Sequence, residues 1–287
     1  MIKIADYNDR EQIKGLWHIC FKDEYSYINC FLDNIFTENN CIVYLNDDGK
    51  IISQLFLIDG SLKTEKGVFK SYYLYAACSH PDFRNRGIMG QLIDYSEKYA
   101  LENGYRYICL VPAAEHLFDY YSRFSFIPFF RKAVTQFTRN ELSNICKNAD
   151  IIATESDFPI EEVRNKFLTN KPCFIHSKNT LDYAVLENRN NNGKLITAGN
   201  AYAFINTEED CCDIYEICVD EKSLAGLIKA ILNETDCENY VFQSPSDSFI
   251  VCSGSKIIIN GMILATDKNA EELIENIESG YIGLVFD

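Results

Sequence analysis

Hydrophobic positions change their period along the chain, and the changes mark the elements. Ile2 and Ile4 alternate with polar neighbours as a short strand, and after Asn8-Asp9-Arg10 the apolar positions Ile13, Leu16, Trp17 and Cys20 follow a helical spacing. A second helical stretch runs through Ile28, Phe31, Leu32 and Ile35. The runs Cys41 to Leu45 and Ile51 to Ile58, separated by Asn46-Asp47-Asp48-Gly49, predict a hairpin, and Gly67 to Cys78 is the next strand. Ile88, Leu92, Tyr95 and Tyr99 then recur at i, i+4, i+7 and i+11, one stripe of a helix that Asn103-Gly104 stops. The run Tyr107 to Val111 is a buried strand ending at Pro112.

Past Phe129-Phe130 and the run Ala133 to Phe137, residues Arg139 to Asp157 turn polar, which places a domain boundary near residue 138. Ile160 to Leu168 reads as a helix and Asn188 to Gly193 as a polar turn. Lys194 to Ile205 and Cys212 to Val219 read as strands, Ser223 to Leu232 as a helix capped by Ser223, and Tyr240 to Phe242 as a strand. The order strand, strand, helix, strand repeats that of the first half. Residues 139–287 are therefore expected to be a degenerate copy of residues 1–138, in an α/β class with a mixed sheet. The tail supplies a strand from Lys256 to Ala265, a helix over Ala270 to Ile277, and an apolar close ending at Phe286-Asp287 that suggests a C-terminus tied into the fold.

Composition narrows the function. With 42 acidic against 27 basic side chains in 287 residues, the formal charge is −15. That disfavours a nucleic-acid surface and favours an amine-bearing partner. The 12 cysteines form no Cys-x-x-Cys pair, so no metal site is expected and the thiols read as small buried hydrophobes of a reducing cytoplasm. No stretch approaches 18 apolar residues, so no membrane association is expected. Oligomeric state is left open.

The chemistry concentrates in Arg84-Asn85-Arg86-Gly87-Ile88-Met89-Gly90, which lies between a strand and a helix. Two arginines and two glycines at a helix start bring backbone N–H groups, the positive end of the helix dipole and cationic side chains onto one anion. The sequence lacks both Gly-x-x-x-x-Gly-Lys-Ser/Thr and Gly-x-Gly-x-x-Gly, so neither a nucleoside-triphosphate loop nor a dinucleotide fold is indicated. In the second half the corresponding turn, Val219 to Ser223, carries Asp220 and Glu221 instead and should repel a pyrophosphate.

Arg-x-x-Gly-x-x-Gly after a strand resembles the acetyl-coenzyme A loop of the GNAT N-acetyltransferases, with Met89 where that family usually has glycine or alanine. Residues 113–128, with Tyr121 four residues before Ser125-Phe126, look like the family's short helix ending in Tyr-x-x-x-Gly-Phe, with Ser125 in place of the glycine. The nearest branch is the two-domain group related to the enhanced-intracellular-survival acetyltransferases. The resemblance implies that acetyl-coenzyme A is the co-substrate and a small amine the acceptor. It also implies that the amides of Asn85, Arg86, Gly87, Ile88, Met89 and Gly90, with the side chains of Arg84 and Arg86, grip the pyrophosphate. Ala77, Cys78 and Ser79 would offer a strand edge to the pantetheine arm, and Tyr121 would protonate the leaving thiolate. Asp23, Glu24 and Tyr25 become candidates for amine recognition. Glu24, Glu115, His116, the terminal carboxylate of Asp287 and a water-relayed base are all admissible as the base. Cys78 is expected to be a buried strand residue rather than a nucleophile. A coenzyme-binding module that has lost turnover is the competing reading, motivated by Met89 and Ser125.

Overall fold

The computed structural model describes residues 1–150 and 158–284. In chain order the elements begin with β1 (Ile2–Ile4), α1 (Arg10–Phe21), α2 (Tyr25–Asn34), β2 (Cys41–Leu45), β3 (Ile51–Thr64), β4 (Gly67–Ser79), α3 (Ile88–Glu102), β5 (Tyr107–Leu110), α4 (His116–Ser122) and β6 (Ile127–Thr138). They continue with α5 (Arg139–Ile145), α6 (Ile160–Phe167), β7 (Cys173–His176), α7 (Lys178–Asn190), β8 (Lys194–Ala198), β9 (Ala201–Glu208), β10 (Cys211–Cys218), α8 (Glu221–Glu234), β11 (Asn239–Ser244), β12 (Lys256–Ala265) and α9 (Lys268–Ile274). The elements gather into two compact units that are interleaved along the chain.

The first unit holds Met1–Phe129, Phe174–Tyr183 and Gly261–Glu278. Its strands lie in the order β1, β2, β3, β4, β5 and then the end of β12, and β7 pairs with β3. Neighbours in that row are antiparallel apart from β4 and β5, which α3 joins as a parallel crossover. Alternation along the strands divides the core. Leu55, Leu57, Tyr72, Leu74, Ile108 and Leu110 pack with Leu92, Ile93 and Ala100 of α3. On the opposite face Phe56 and Tyr75 meet Trp17 of α1, at ring-centroid distances of 5.7 and 5.8 Å, and Phe31 of α2.

The second unit holds Phe130–Cys173, Ala184–Asn260 and Ser279–Asp287, with strand order β6, β11, β10, β9, β8. Here again three antiparallel strands lead through a crossover helix, α8, to a parallel partner, β11 on β10. The single strand expected over Lys194 to Ile205 is a hairpin, because Gly199 at φ +58° turns β8 into β9. Helix α8 starts two residues before Ser223, since Asp220 is its N-cap and accepts from Ser223 N at 2.8 Å.

Each unit takes a strand from the other half of the sequence. β6 follows α4 directly, yet its residues 133–138 pair antiparallel with β11. β12 follows β11, yet Met262–Ala265 pair antiparallel with β5. No single cut describes this arrangement. The boundary expected near residue 138 falls at the end of β6, inside the second unit, where the polar stretch opens with the capped helix α5.

An ion pair buried in the second unit ties down the tail as far as Leu284. Arg164 on α6 faces Glu216 at 3.1 Å, with both side chains almost wholly out of solvent. Glu216 also accepts from the Tyr202 hydroxyl at 2.7 Å and Leu284 N at 3.1 Å, while Arg164 donates to Ile282 O at 3.0 Å. Arg164→Met should therefore cost about 3–5 kcal/mol in denaturant unfolding, since it leaves Glu216 buried without its cation. In the first unit the hydroxyl of Tyr107 donates to Ala270 O at 2.9 Å and that of Tyr105 to Asp59 at 2.7 Å; burial pushes both phenols up to about 12. Because the folded pKa lies above the unfolded value of about 10, their contribution is complete below that pH and is lost as pH rises towards about 12. The urea midpoint should fall over that window, and fall less steeply in Tyr107→Phe.

Candidate active site

The site begins with a break in a ladder. β4 and β5 pair in parallel at Ser71–Tyr107, Tyr72–Ile108 and Tyr73–Cys109, and the register ends there. β4 runs on to Ser79, held on its other edge by β3, so its β5-facing edge from Leu74 onward has no ladder partner in β5. Between Tyr75 and Cys78 two residues, Ala76 and Ala77, stand against Leu55 alone, and Ala76 takes φ +48°. This bulge twists the strand at the point where its partner leaves. Alanine gives no sequence signal for it.

Past Ser79 the chain makes a single 3₁₀ turn over Pro81–Phe83, whose first amides the His80 ring caps by accepting from Asp82 N at 3.3 Å. Arg84 Nε donates to Ser79 O at 3.1 Å and an Arg86 Nη donates to Asp82 O at 2.9 Å, so one nitrogen of each guanidinium pins the loop while the group stays exposed. Asn85 at φ +61° and Gly87 at φ +73° turn the backbone into α3. The first intrahelical bond of α3 is Gln91 N to Gly87 O at 3.2 Å and no side chain caps the helix, so the amides of Ile88, Met89 and Gly90 have no acceptor within it. With two arginines beside them, these amides form an anion cradle.

The two loop glycines serve different ends. A Cβ on Gly87 would meet nothing within 4 Å, so its role is the positive φ and an unobstructed approach. A Cβ on Gly90 would lie 2.8 Å from the Phe124 ring, so its role is the packing of α3 against the segment after α4. Met89 turns its side chain onto the core cluster that also contains Leu92 and Tyr121, which accounts for a large residue at that position.

Tyr121 on α4 is buried in that same cluster, against which Ala77 of β4 also packs. Its ring meets Tyr120 at 5.4 Å and Phe126 at 5.6 Å, both edge-to-face. Burial pushes its phenol above the ordinary tyrosine value, so it stays protonated through neutral and mildly alkaline pH. Ser125 sits at φ +64°, the left-handed conformation expected of a residue that replaces glycine there. Cys78 is buried on the α1 face, so contact with a ligand at the open edge would come from its backbone.

On the α1 and α2 side, Asp23 accepts from the Trp17 indole at 2.7 Å, which engages its carboxylate within the protein. Glu24 is the exposed N-cap residue of α2, and Tyr25 is exposed and stacked on His18 at 4.4 Å. Sequence reasoning missed the Tyr27 and Tyr75 hydroxyls, which meet at 3.0 Å one residue from the bulge. Glu115 and His116 are exposed at the start of α4. Asp287 lies outside the described residues. Among the described residues no three His, Cys, Asp or Glu side chains gather to hold a metal ion, and no helix is long and apolar enough to cross a membrane.

Residues 1–128 match the family model for the acetyltransferase (GNAT) domain. This segment is a GNAT acetyltransferase domain. The matched segment is just under half of the chain, and the second unit repeats the strand and helix order of the first. The GCN5-related N-acetyltransferase of Kribbella flavida superposes with a TM-score of 0.74 at 9% identity over 94% of this chain and 73% of its own. Its counterpart from Anabaena variabilis gives 0.71 at 11% identity over 93% and 73%. Eis1 of Mycobacterium abscessus gives 0.66 at 10% identity over 93% and 74%. At these identities the likeness is one of fold. No curated protein matches the sequence.

The division of labour between the GNAT-domain glycines has a direct check. Gly90→Ala should cost about 1–3 kcal/mol in thermal or denaturant unfolding, because Phe124 must shift to admit the methyl group. Combining it with Phe124→Leu should recover part of that loss.

Proposed function

We propose that the protein is an acetyl-coenzyme A-dependent N-acetyltransferase that passes the acetyl group directly to a primary amine of a small substrate. The observation that carries this reading is the open edge of β4, which leads from the bulge at Ala76 to the uncapped start of α3. A pantetheine arm has amides to pair with such an edge, and a pyrophosphate has the charge for the cradle of residues 84–90.

In this reading the neutral amine attacks the thioester carbon at the bulge, with a β4 amide near Ala77 facing the developing oxyanion. As the carbon–sulfur bond breaks, Tyr121 gives its proton to the thiolate. A protonated, buried phenol suits an acid and cannot readily deprotonate an ammonium. The ammonium proton leaves by a separate route, for which Glu24, Glu115, His116, the terminal carboxylate of Asp287 and a water relay remain the alternatives to compare. Asp23 has a structural partner in Trp17, so we assign amine orientation to Glu24 and Tyr25 ahead of it. The acidity of the chain favours a cationic acceptor over nucleic acid, and a cytoplasmic location goes with a coenzyme A-dependent reaction. We propose one coenzyme per chain, because the Ser223 hydroxyl and amide hold the Asp220 carboxyl below its usual range, which keeps an anion at the start of α8.

Release of free coenzyme A thiol from acetyl-coenzyme A across a panel of amines should reveal turnover; tight binding with no turnover on any amine would overturn the reading. With a good amine in hand, Tyr121→Phe should lower kcat by roughly 10²–10⁴-fold with little change in coenzyme affinity, and Tyr120→Phe should do much less. Equal losses in the two variants would remove Tyr121 as the acid. By calorimetry, wild-type protein should bind one acetyl-coenzyme A per chain. Gly87→Glu should abolish binding, since it places a carboxylate at a left-handed position in the cradle.

A further inference from the structure

On the face of the first unit's sheet opposite Tyr121, two cysteines meet beside the coenzyme loop. Cys20, half-buried near the end of α1, donates to Ser79 O at 3.4 Å, the same carbonyl that Arg84 Nε engages at 3.1 Å. Cys78, buried on β4, immediately precedes Ser79 in the strand, and its thiol is the largest influence on that of Cys20. Gln54 stands directly across from Cys78 in the β3–β4 register, so the two side chains share this face of the sheet. Gln54 is fully buried, and neither its amide nitrogen nor its amide oxygen has a hydrogen-bond partner. An orphaned amide of this kind calls for an explanation.

We propose that Cys20 and Cys78 form a redox-active thiol pair, in which hydrogen peroxide oxidises Cys20 and Cys78 closes a disulfide with it. The Cys20 thiolate attacks one peroxide oxygen. A sulfur–oxygen bond forms, the oxygen–oxygen bond breaks, and hydroxide leaves and takes up the thiol proton as water. Cys78 sulfur then attacks Cys20 sulfur; the sulfur–sulfur bond forms, the sulfur–oxygen bond breaks, and the departing hydroxide takes the Cys78 proton as a second water. Two thiols and one peroxide give one disulfide and two waters. The buried Gln54 amide supplies both a donor and an acceptor for a sulfenic group beside Cys78.

The electrostatics assign the order of attack. Interaction with the Cys78 thiol, opposed by burial and then aided by Arg84, brings the Cys20 thiol down to about 7, whereas burial pushes Cys78 up. Closure would withdraw the thiol donor from Ser79 O, at the strand edge assigned above to the pantetheine arm. That consequence rests on the proposed function; the thiol chemistry does not.

The test is peptide mapping of the full-length protein after mild peroxide treatment, with Cys252→Ser as the background because Cys252 is exposed. Trypsin places Cys20 alone in Gly15–Lys22 and Cys78 alone in Ser71–Arg84. The expected result is a new species linking these two peptides, with the intact chain lighter by two hydrogens. In Cys78→Ala a dimedone adduct should appear on Gly15–Lys22, and in Cys20→Ser the linked species should vanish. Linkage of Ser71–Arg84 to Asp23–Lys50, which carries Cys30 and Cys41, would overturn the pairing. Absence of any linked species in the background protein would overturn the proposal without reference to the folding of the cysteine variants. A dimedone adduct on Ser71–Arg84 in Cys20→Ser, with none on Gly15–Lys22 in Cys78→Ala, would overturn the assigned order.

Discussion

Everything at the candidate site depends on the parallel ladder of β4 and β5 stopping at Tyr73 and Cys109. Had the ladder continued, the amides of β4 beyond Leu74 would be spent on β5 and no edge would remain for a ligand. Two features hold the opening. The bulge at Ala76 twists β4 while β3 continues to grip its other edge as far as Ser79. β5 meanwhile ends at Leu110, where its far edge is occupied by the end of β12. An unpaired edge inside a sheet is ordinarily costly, so its persistence points to a ligand that completes it.

The same scaffold occurs twice with opposite electrostatics. In the first unit the crossover helix begins at a bare glycine preceded by two arginines, so no side chain consumes its first amides. In the second, Asp220 folds back on the amide of Ser223 and consumes one of those donors while adding a negative charge. One residue at an N-cap position thus decides whether the end of a crossover helix attracts or repels a phosphate. The second unit has invested its buried polar chemistry elsewhere, in Arg164 and Glu216, which hold α6, β10 and the segment through Leu284 together.

Much of the first unit was legible in the sequence because local patterns and tertiary structure agree there. The apolar stripe of Ile88, Leu92, Tyr95 and Tyr99 does become α3, Asn103-Gly104 does end it, and Ser125 does adopt the left-handed conformation of the glycine it replaces. The bulge was invisible because alanine at φ +48° is imposed by the sheet and not by its own preference. The helices α5 and α7 were missed because their sequences are mostly polar, with few apolar positions to reveal a period. The four-residue strand β7 was too short to show alternation. Pairing partners such as Tyr27 with Tyr75, or Arg164 with Glu216, are separated by 48 and 52 residues and leave no local trace.

The exchange of strands between the halves of the sequence has a temporal meaning. As the chain leaves the ribosome, β5 emerges long before the end of β12 that will cover its edge, and β6 emerges before β11. Neither unit can close its sheet on its own contiguous stretch, so closure waits on β11 and the end of β12, more than a hundred residues downstream of β6 and β5. During that interval β5 and β6 present open edges, the kind of surface on which nascent chains mispair and which chaperones guard. The long-range pairings also make for slow folding, so this architecture exchanges speed of assembly for a pair of units that are completed together.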